Sequence, residues 1–200
     1  MILPNDFLHL DGDSIQRKLL NLKYEYIQRF IPSGSLILDV GCGEGEFLSL
    51  LKNKYKVVGI DLKKSGKRDF EYIVMDAHCL AFKNSVFDAV ILSDMLEHAE
   101  NPFEIIKDVG RILKDNGIVF FSTVNKNPFL YPLLKILDLV YSQKNWLPHR
   151  YSQLLSPPKL HRMFSETNMK KLDMKGVIVG VRKARTINRV GLYYIGVYEK

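Results

Sequence analysis

The sequence predicts an α/β fold, a doubly wound and mostly parallel sheet, and three observations carry that prediction. An apolar run at residues 36–40 breaks into Gly41, Gly43 and Gly45, and an apolar helical pattern follows. Glycines at such a strand-to-helix turn let the backbone bend tightly and admit a ligand without a Cβ in the way. Further short apolar runs at 56–61, 70–77, 87–93 and 118–124 each read as a strand. Polar groups stand in or at the ends of the first four strands, along the carboxyl edge where such folds bind ligands.

In chain order, residues 1–13 read as irregular. An amphipathic helix follows with Ser14 as N-cap and Ile15, Leu19, Leu22, Tyr26, Ile27 and Phe30 along one side. Pro32 and Gly34 end it before the first strand. The glycine loop leads into a helix over 47–54, and the second strand, 56–61, ends in Asp61. The third, 70–77, carries Asp76. The fourth, 87–93, is near-continuously apolar, as a sheet centre buried on both faces requires. Asn101 and Pro102 open a helix with Phe103, Ile106, Val109 and Leu113 inward. A turn at 114–117 precedes the fifth strand.

Residues 125–158 form a variable insertion. The strongly apolar stretch 129–141 places Tyr131, Lys135, Asp138 and Ser142 on one helical side and is too short to span a bilayer. Trp146, His149, Pro157 and Pro158 mark a loop before a helix over 159–167, which Asn168 ends as a left-handed residue. Strands at 175–181 and 191–198 flank a basic connection, 182–189.

Length and composition set the bounds. Two hundred residues, 46% hydrophobic and 26% charged, make one ordinary globular domain, 1–200. Neither a signal peptide nor a membrane-spanning helix is expected. Cys42 and Cys79 have no metal-site spacing, so a reduced, cytoplasmic setting is expected. Residues 1–158 balance 19 Lys/Arg against 19 Asp/Glu, whereas 159–200 hold 10 against 3 and so carry the whole net charge of +7. Such a patch suits an anionic substrate, nucleic acid or a lipid surface, and a solvated basic face is the plainer reading.

Loop spacing separates two ligand classes. A dinucleotide fingerprint needs its third glycine at position 46, where Glu46 stands. What stands instead is Asp39-x-Gly41-x-Gly43-x-Gly45, with Asp61 22 residues after Asp39, placed to accept both hydroxyls of a ribose. Asp76-Ala-His-Cys-Leu80-Ala-Phe82 follows the third strand.

This set resembles the class I S-adenosylmethionine (SAM) methyltransferases over roughly residues 14–200, most specifically over 36–125. Leu96-Glu-His98-Ala-Glu-Asn-Pro102, Arg111-Ile-Leu-Lys114 and Phe121-Ser-Thr-Val-Asn125 look most like the small-molecule branch around the ubiquinone-biosynthesis O-methyltransferases. The resemblance implies a Rossmann-like sheet of seven strands with the last antiparallel. It implies a cofactor, SAM, held by Asp39, Gly41, Cys42, Gly43, Gly45, Asp61, Leu62, Asp76, Ala77 and Ser93. In the family, the counterpart of Asp39 contacts the amino group of the methionine end, and that of Asp76 accepts from the adenine amino group. Ala81 departs from the family's proline, and Asp115-Asn116 from its Pro-Gly turn.

Methyl transfer from a sulfonium is an in-line displacement, so the protein contributes by aligning nucleophile, methyl carbon and sulfur. A phenolic acceptor, with a reference pKa of about 10, must also lose a proton to a base or a metal. His98, just beyond the fourth strand, is the expected catalytic base, with Glu97 orienting it or acting itself. His149 is a second candidate. Asp94, Glu97 and His98 stand at i, i+3 and i+4, so one helical turn would gather them around a divalent cation such as Mg2+. Members of the resembled branch depend on such a cation. A helix-capping aspartate and a satisfied surface histidine are the plainer reading.

The expected activity is SAM-dependent O-methylation of a small, phenolic or lipophilic molecule, the methyl acceptor. An RNA-modifying methyltransferase is the alternative that the basic C-terminal segment suggests. Amino-directed nucleic-acid enzymes, however, carry Asn/Asp-Pro-Pro-aromatic after the fourth strand, where this chain has Ser93-Asp-Met-Leu96. Nucleic acid is therefore not the expected partner. The intact acidic and glycine set opposes a non-catalytic binding protein, and Glu46 opposes a dehydrogenase. The apolar 129–141 stretch beside the basic segment raises peripheral membrane contact or a greasy substrate channel.

Overall fold

The computed structural model describes residues 12–63, 69–141, 149–180 and 182–200. Expectations about residues 1–11 and 142–148, Ser142 and Trp146 among them, lie outside the described residues. The strands are β1 (Leu36–Val40), β2 (Lys56–Asp61), β3 (Glu71–Val74), β4 (Phe87–Ser93), β5 (Leu113–Val124), β6 (Lys170–Val179), β7 (Ala184–Ile187) and β8 (Tyr193–Glu199). They form one sheet in the order β3-β2-β1-β4-β5-β8-β6-β7. β1 to β5 pair in parallel, β8 is antiparallel to β5 and β6, and β7 is antiparallel to β6.

Alternation along the central strands divides the core into two layers. Leu38, Val40, Val90, Leu92, Val119 and Phe121 pack on one face with helices α3 (Pro102–Ile112) and α5 (Pro157–Glu166). Ile37, Ala89, Ile91, Phe120 and Ile195 pack on the other with α1 (Gly12–Ile27) and α2 (Glu46–Leu51). Close approach explains Gly59 in the middle of β2. A Cβ there would lie 2.6 Å from Leu48 and 2.7 Å from the Cys42 sulfur, so only glycine lets α2 and the loop settle on the sheet.

Several expectations need correction. The sheet has eight strands, because the basic connection contains β7, where Ala184 is buried and Arg185 exposed. Its charges had disguised an alternating strand. α1 begins at Gly12, so Ser14 lies inside it, and α2 stops at Leu51. In α3, Ile105, Ile106, Val109 and Ile112 are buried while Phe103 is half-buried, and Leu113 already opens β5. The turn at 114–117 is bulged out of β5, with Asn116 at φ 60°. Asn168 ends its helix at φ 61°, as expected. Helix α4 (Tyr131–Tyr141) covers the carboxyl edge of the sheet near β5. Among the described residues no helix is long and apolar enough to cross a membrane.

Candidate active site

β1 carries Asp39 into the carboxyl edge beside the glycine turn. Its side chain is buried and its Oδ1 has no hydrogen-bond partner. Burial pushes its pKa up to about 8 against the pull of Lys23. A buried carboxylate oxygen normally has a donor, and an ammonium such as that of SAM matches it. Gly41, Gly43 and Gly45 all adopt positive φ, at 73°, 53° and 76°, a conformation that other residues enter at a cost. A Cβ on Gly43 would meet nothing within 4 Å, so the crest of the loop is open to a ligand.

Asp61, ending β2, braces this crest. Its Oδ2 accepts the Gly43 N–H at 2.9 Å and its Oδ1 the Lys63 N–H at 3.1 Å. The Cys42 N–H donates to the Ile60 carbonyl at 3.0 Å, and Leu62 is largely exposed at the rim. Asp76, beyond β3, accepts the His78 N–H at 2.9 Å and faces its Nδ1 at 2.9 Å. Those bonds hold its pKa below the usual carboxylate range. Ala77 beside it is half-buried. The edge thus offers an acid for an ammonium, an open glycine crest, a half-buried acid at Asp61 and an exposed one at Asp76, in strand order, which fits SAM.

The polar groups at the end of β4 sort differently from expectation. Asp94 sits at φ 54°, and the chain makes a turn there rather than a helix. Its Oδ2 takes the Lys23 ammonium at 2.5 Å, and its Oδ1 accepts Tyr193 OH at 2.5 Å and Ser122 Oγ at 2.8 Å. Lys23 also donates to Ser93 Oγ at 2.9 Å, so α1 is tied to the ends of β4, β5 and β8. Burial favours a protonated Asp94, but Lys23 and the two hydroxyls outweigh it and keep the carboxyl ionised. Asp94 is therefore committed elsewhere and does not join Glu97 and His98.

His149 takes its place. One ligand atom each from Glu97, His98 and His149 lies within 4.8 Å of the others. The two imidazole rings stand 5.4 Å apart. Glu97 is buried, with Oε2 accepting Thr123 Oγ1 at 2.8 Å and Oε1 the Val124 N–H at 3.4 Å. Burial and then the Asp94 charge push its pKa up to about 8. Burial and the neighbouring His149 lower that of His98. His149 is itself buried, gripped by Asp138 from α4: Nδ1 to Oδ1 at 2.8 Å, backbone N–H to Oδ2 at 3.0 Å.

Sequence reasoning assigned no role to Lys23, Ser122, Thr123, Asp138 or Tyr193. Asp138 carried a signal, as the one acid in an apolar stretch. Lys23 carried one too, a cation beside the inward stripe of α1.

Sheet order and loop together define a doubly wound α/β protein of the class that binds a nucleotide at the carboxyl edge of its sheet. A family profile described as a methyltransferase domain matches residues 14–173. Ubiquinone biosynthesis O-methyltransferases are similar. That of Chromobacterium violaceum is 31% identical over 173 residues, covering 78% of this chain and 74% of the relative. That of Thiobacillus denitrificans is 32% identical over 174 residues, with the same shares. Among solved structures, a SAM-dependent methyltransferase from Archaeoglobus fulgidus superposes with a TM-score of 0.72 at 18% identity, over 92% of this chain and 94% of that one. One from Methanosarcina mazei superposes with a TM-score of 0.66 at 21% identity, over 88% and 97%. The chain belongs to the methyltransferase-domain family and is a SAM-dependent methyltransferase.

Proposed function

We propose that the chain methylates a hydroxyl oxygen of a small, lipophilic acceptor, a phenol in the simplest case, at Glu97, His98 and His149. The observation that carries this reading is the gathering of those three ligand atoms within 4.8 Å, beyond the end of the same β4 whose Ser93 and Asp94 bond Lys23. The names of the ubiquinone biosynthesis relatives point to the same chemistry. An apolar cluster of Val124, Leu134 and Leu154, with Tyr131 and Tyr193 packed on it, adjoins the site through the Val124 N–H, which donates to Glu97. That surround suits a greasy ring better than a charged one.

One carboxylate and two imidazoles form a donor set that suits a divalent cation. Asp138 supports His149 as outer-shell carboxylates support metal-bound histidines. Glu97, His98 and His149 would hold the ion, which when bound lowers the pKa of a coordinated hydroxyl. His98, its pKa lowered by burial, stays neutral at pH 7, as either a ligand or a proton acceptor must. Asp39 and the glycine crest fix the cofactor end, and the His98–His149 wall fixes the acceptor, so alignment is the main contribution.

Methyl transfer from labelled SAM to catechols of increasing isoprenoid tail length, with an aliphatic amine and bulk tRNA in parallel, tests this. The expected product is a methyl ether, at a rate that EDTA lowers at least ~10-fold and Mg2+ restores. Label recovered in amine or RNA and absent from the catechols would sink the reading.

A further inference from the structure

The loop after β3 makes more polar bonds than its turn requires. Asp76 and Cys79 close that turn, the Cys79 N–H donating to the Asp76 carbonyl at 3.0 Å. Further along, Arg111 donates to the carbonyls of Leu80 and Phe82 at 2.7 Å each, and Asp108 accepts the Leu80 N–H at 2.9 Å. Arg111 and Asp108 both belong to α3, so the loop is fixed to the body of the fold.

Within this frame His78 serves Asp76 twice. Its backbone N–H and its ring Nδ1 both meet one oxygen, Oδ1, at 2.9 Å. The backbone bond is ordinary for an aspartate in a turn, and the ring bond is an addition. The far side of the ring is also engaged: Nε2 accepts the Asn101 N–H, at the start of α3, at 3.4 Å. Only an unprotonated ring nitrogen accepts, so the ring proton lies on Nδ1 and is donated to Asp76. Oδ2 has no partner among the described residues, on a side chain that is 55% exposed.

Strand order indicates what that oxygen faces. The edge runs outward through β1, β2 and β3, with Asp39, Asp61 and Asp76 in or just beyond successive strands. The Met75 N–H donates to the Asp61 carbonyl at 3.0 Å, which holds the last two strand ends together. A nucleoside cofactor with its amino-acid end at Asp39 and its ribose at Asp61 sends its base toward Asp76.

We propose that His78 is a positioning residue that aims Asp76 Oδ2 at the exocyclic amino group of adenine and so sets the base specificity of the cofactor site. With Oδ1 held by two donors, the carboxylate keeps one orientation and Oδ2 stays free to accept. Hypoxanthine, with a carbonyl in place of the amino group, would set two acceptors against each other with no proton between them. The inference concerns the cofactor end and stands whichever acceptor is methylated.

Titration calorimetry of the full chain with S-adenosylhomocysteine and S-inosylhomocysteine tests this on the wild type, His78→Ala and His78→Asn. The wild type should favour the adenosyl ligand at least ~10-fold, the range of a hydrogen bond to a charged group. His78→Ala should lose at least ~5-fold of that preference, through weaker adenosyl binding with inosyl binding held within ~2-fold. Asparagine places an amide N–H where Nδ1 stands, so His78→Asn should return the preference to within ~2-fold of the wild type. A wild type that does not distinguish the two bases overturns the proposal. So does an alanine variant with unchanged preference, whether both affinities fall together or neither does, since that marks a residue that only shapes the loop. An asparagine variant as indifferent as the alanine one also overturns it, because Nδ1 is then not the operative donor.

Discussion

Asp138 and His149 form a buried pair in which one carboxylate oxygen meets the ring Nδ1 at 2.8 Å and the other accepts the backbone N–H of the same residue at 3.0 Å. Gripped at both points, His149 is held in one orientation, with Nδ1 turned to Asp138. Asp138→Asn keeps the shape and removes the charge. Methyl transfer should fall by about 10–100-fold while calorimetry with SAM gives an unchanged affinity. An unchanged rate would mean that the pair only packs α4.

Asp39 Oδ1 is a buried oxygen without a hydrogen-bond partner, and the cost of this acid to stability can be separated from its use. With a folded pKa near 8 and an unfolded one of about 3.9, it binds more protons folded than unfolded between those values. Its effect is to lower stability as pH rises through that window. Asp39→Asn should therefore raise stability at pH 7 by on the order of 1–3 kcal/mol, yet weaken SAM at least ~10-fold through the lost charge. Thermal melts from pH 5 to 8 should show the variant's advantage widening with pH. A constant gap would refute the titration.

The Lys23–Asp94 pair has the opposite sign. Asp94 is held below its usual range, so its contribution is present above pH ~4 and lost as pH falls through the folded pKa. Since the Asp94 side chain is 43% exposed, solvent limits the effect, and Lys23→Met should cost about 1–2 kcal/mol at pH 7. The difference should shrink in acid. Denaturant melts at pH 7 and pH 3 distinguish this from simple loss of packing.

Gly59 faces Leu48 and Cys42 at distances that no Cβ tolerates. Gly59→Ala should destabilise the fold by about 1–3 kcal/mol and lower SAM affinity, because the displaced loop carries Gly43. A melt and a SAM titration on one preparation check both effects together.

Much of this architecture is legible in the sequence. β1, β2 and β4 begin and end where their apolar runs meet polar or glycine residues, and the Gly43 N–H donates to Asp61 at the end of β2, the strand beside Asp39. β7 is hard to read from sequence because it is four residues long and holds Arg185 within a basic run. The Asp94, Glu97, His98 trio failed because local spacing assumes a helix, whereas Asp94 turns the chain at positive φ. His149 could not be ranked from sequence, since the packing of α4 brings it to His98. Lys23 stands beside the inward stripe of α1, but a pattern that counts only apolar residues as inward does not place its ammonium, which is buried where α1 meets β4.

The most direct test of the central claim is single-turnover transfer of labelled methyl from saturating SAM to the best catechol acceptor. It compares the wild type with Glu97→Gln, His98→Ala and His149→Ala, in the presence of Mg2+. Each variant should keep its SAM affinity within about 2-fold and lose ~10²-fold or more in rate, the range of a lost proton acceptor or metal ligand. Rates equal to the wild type in all three would contradict the assignment of Glu97, His98 and His149 as the site of O-methyl transfer.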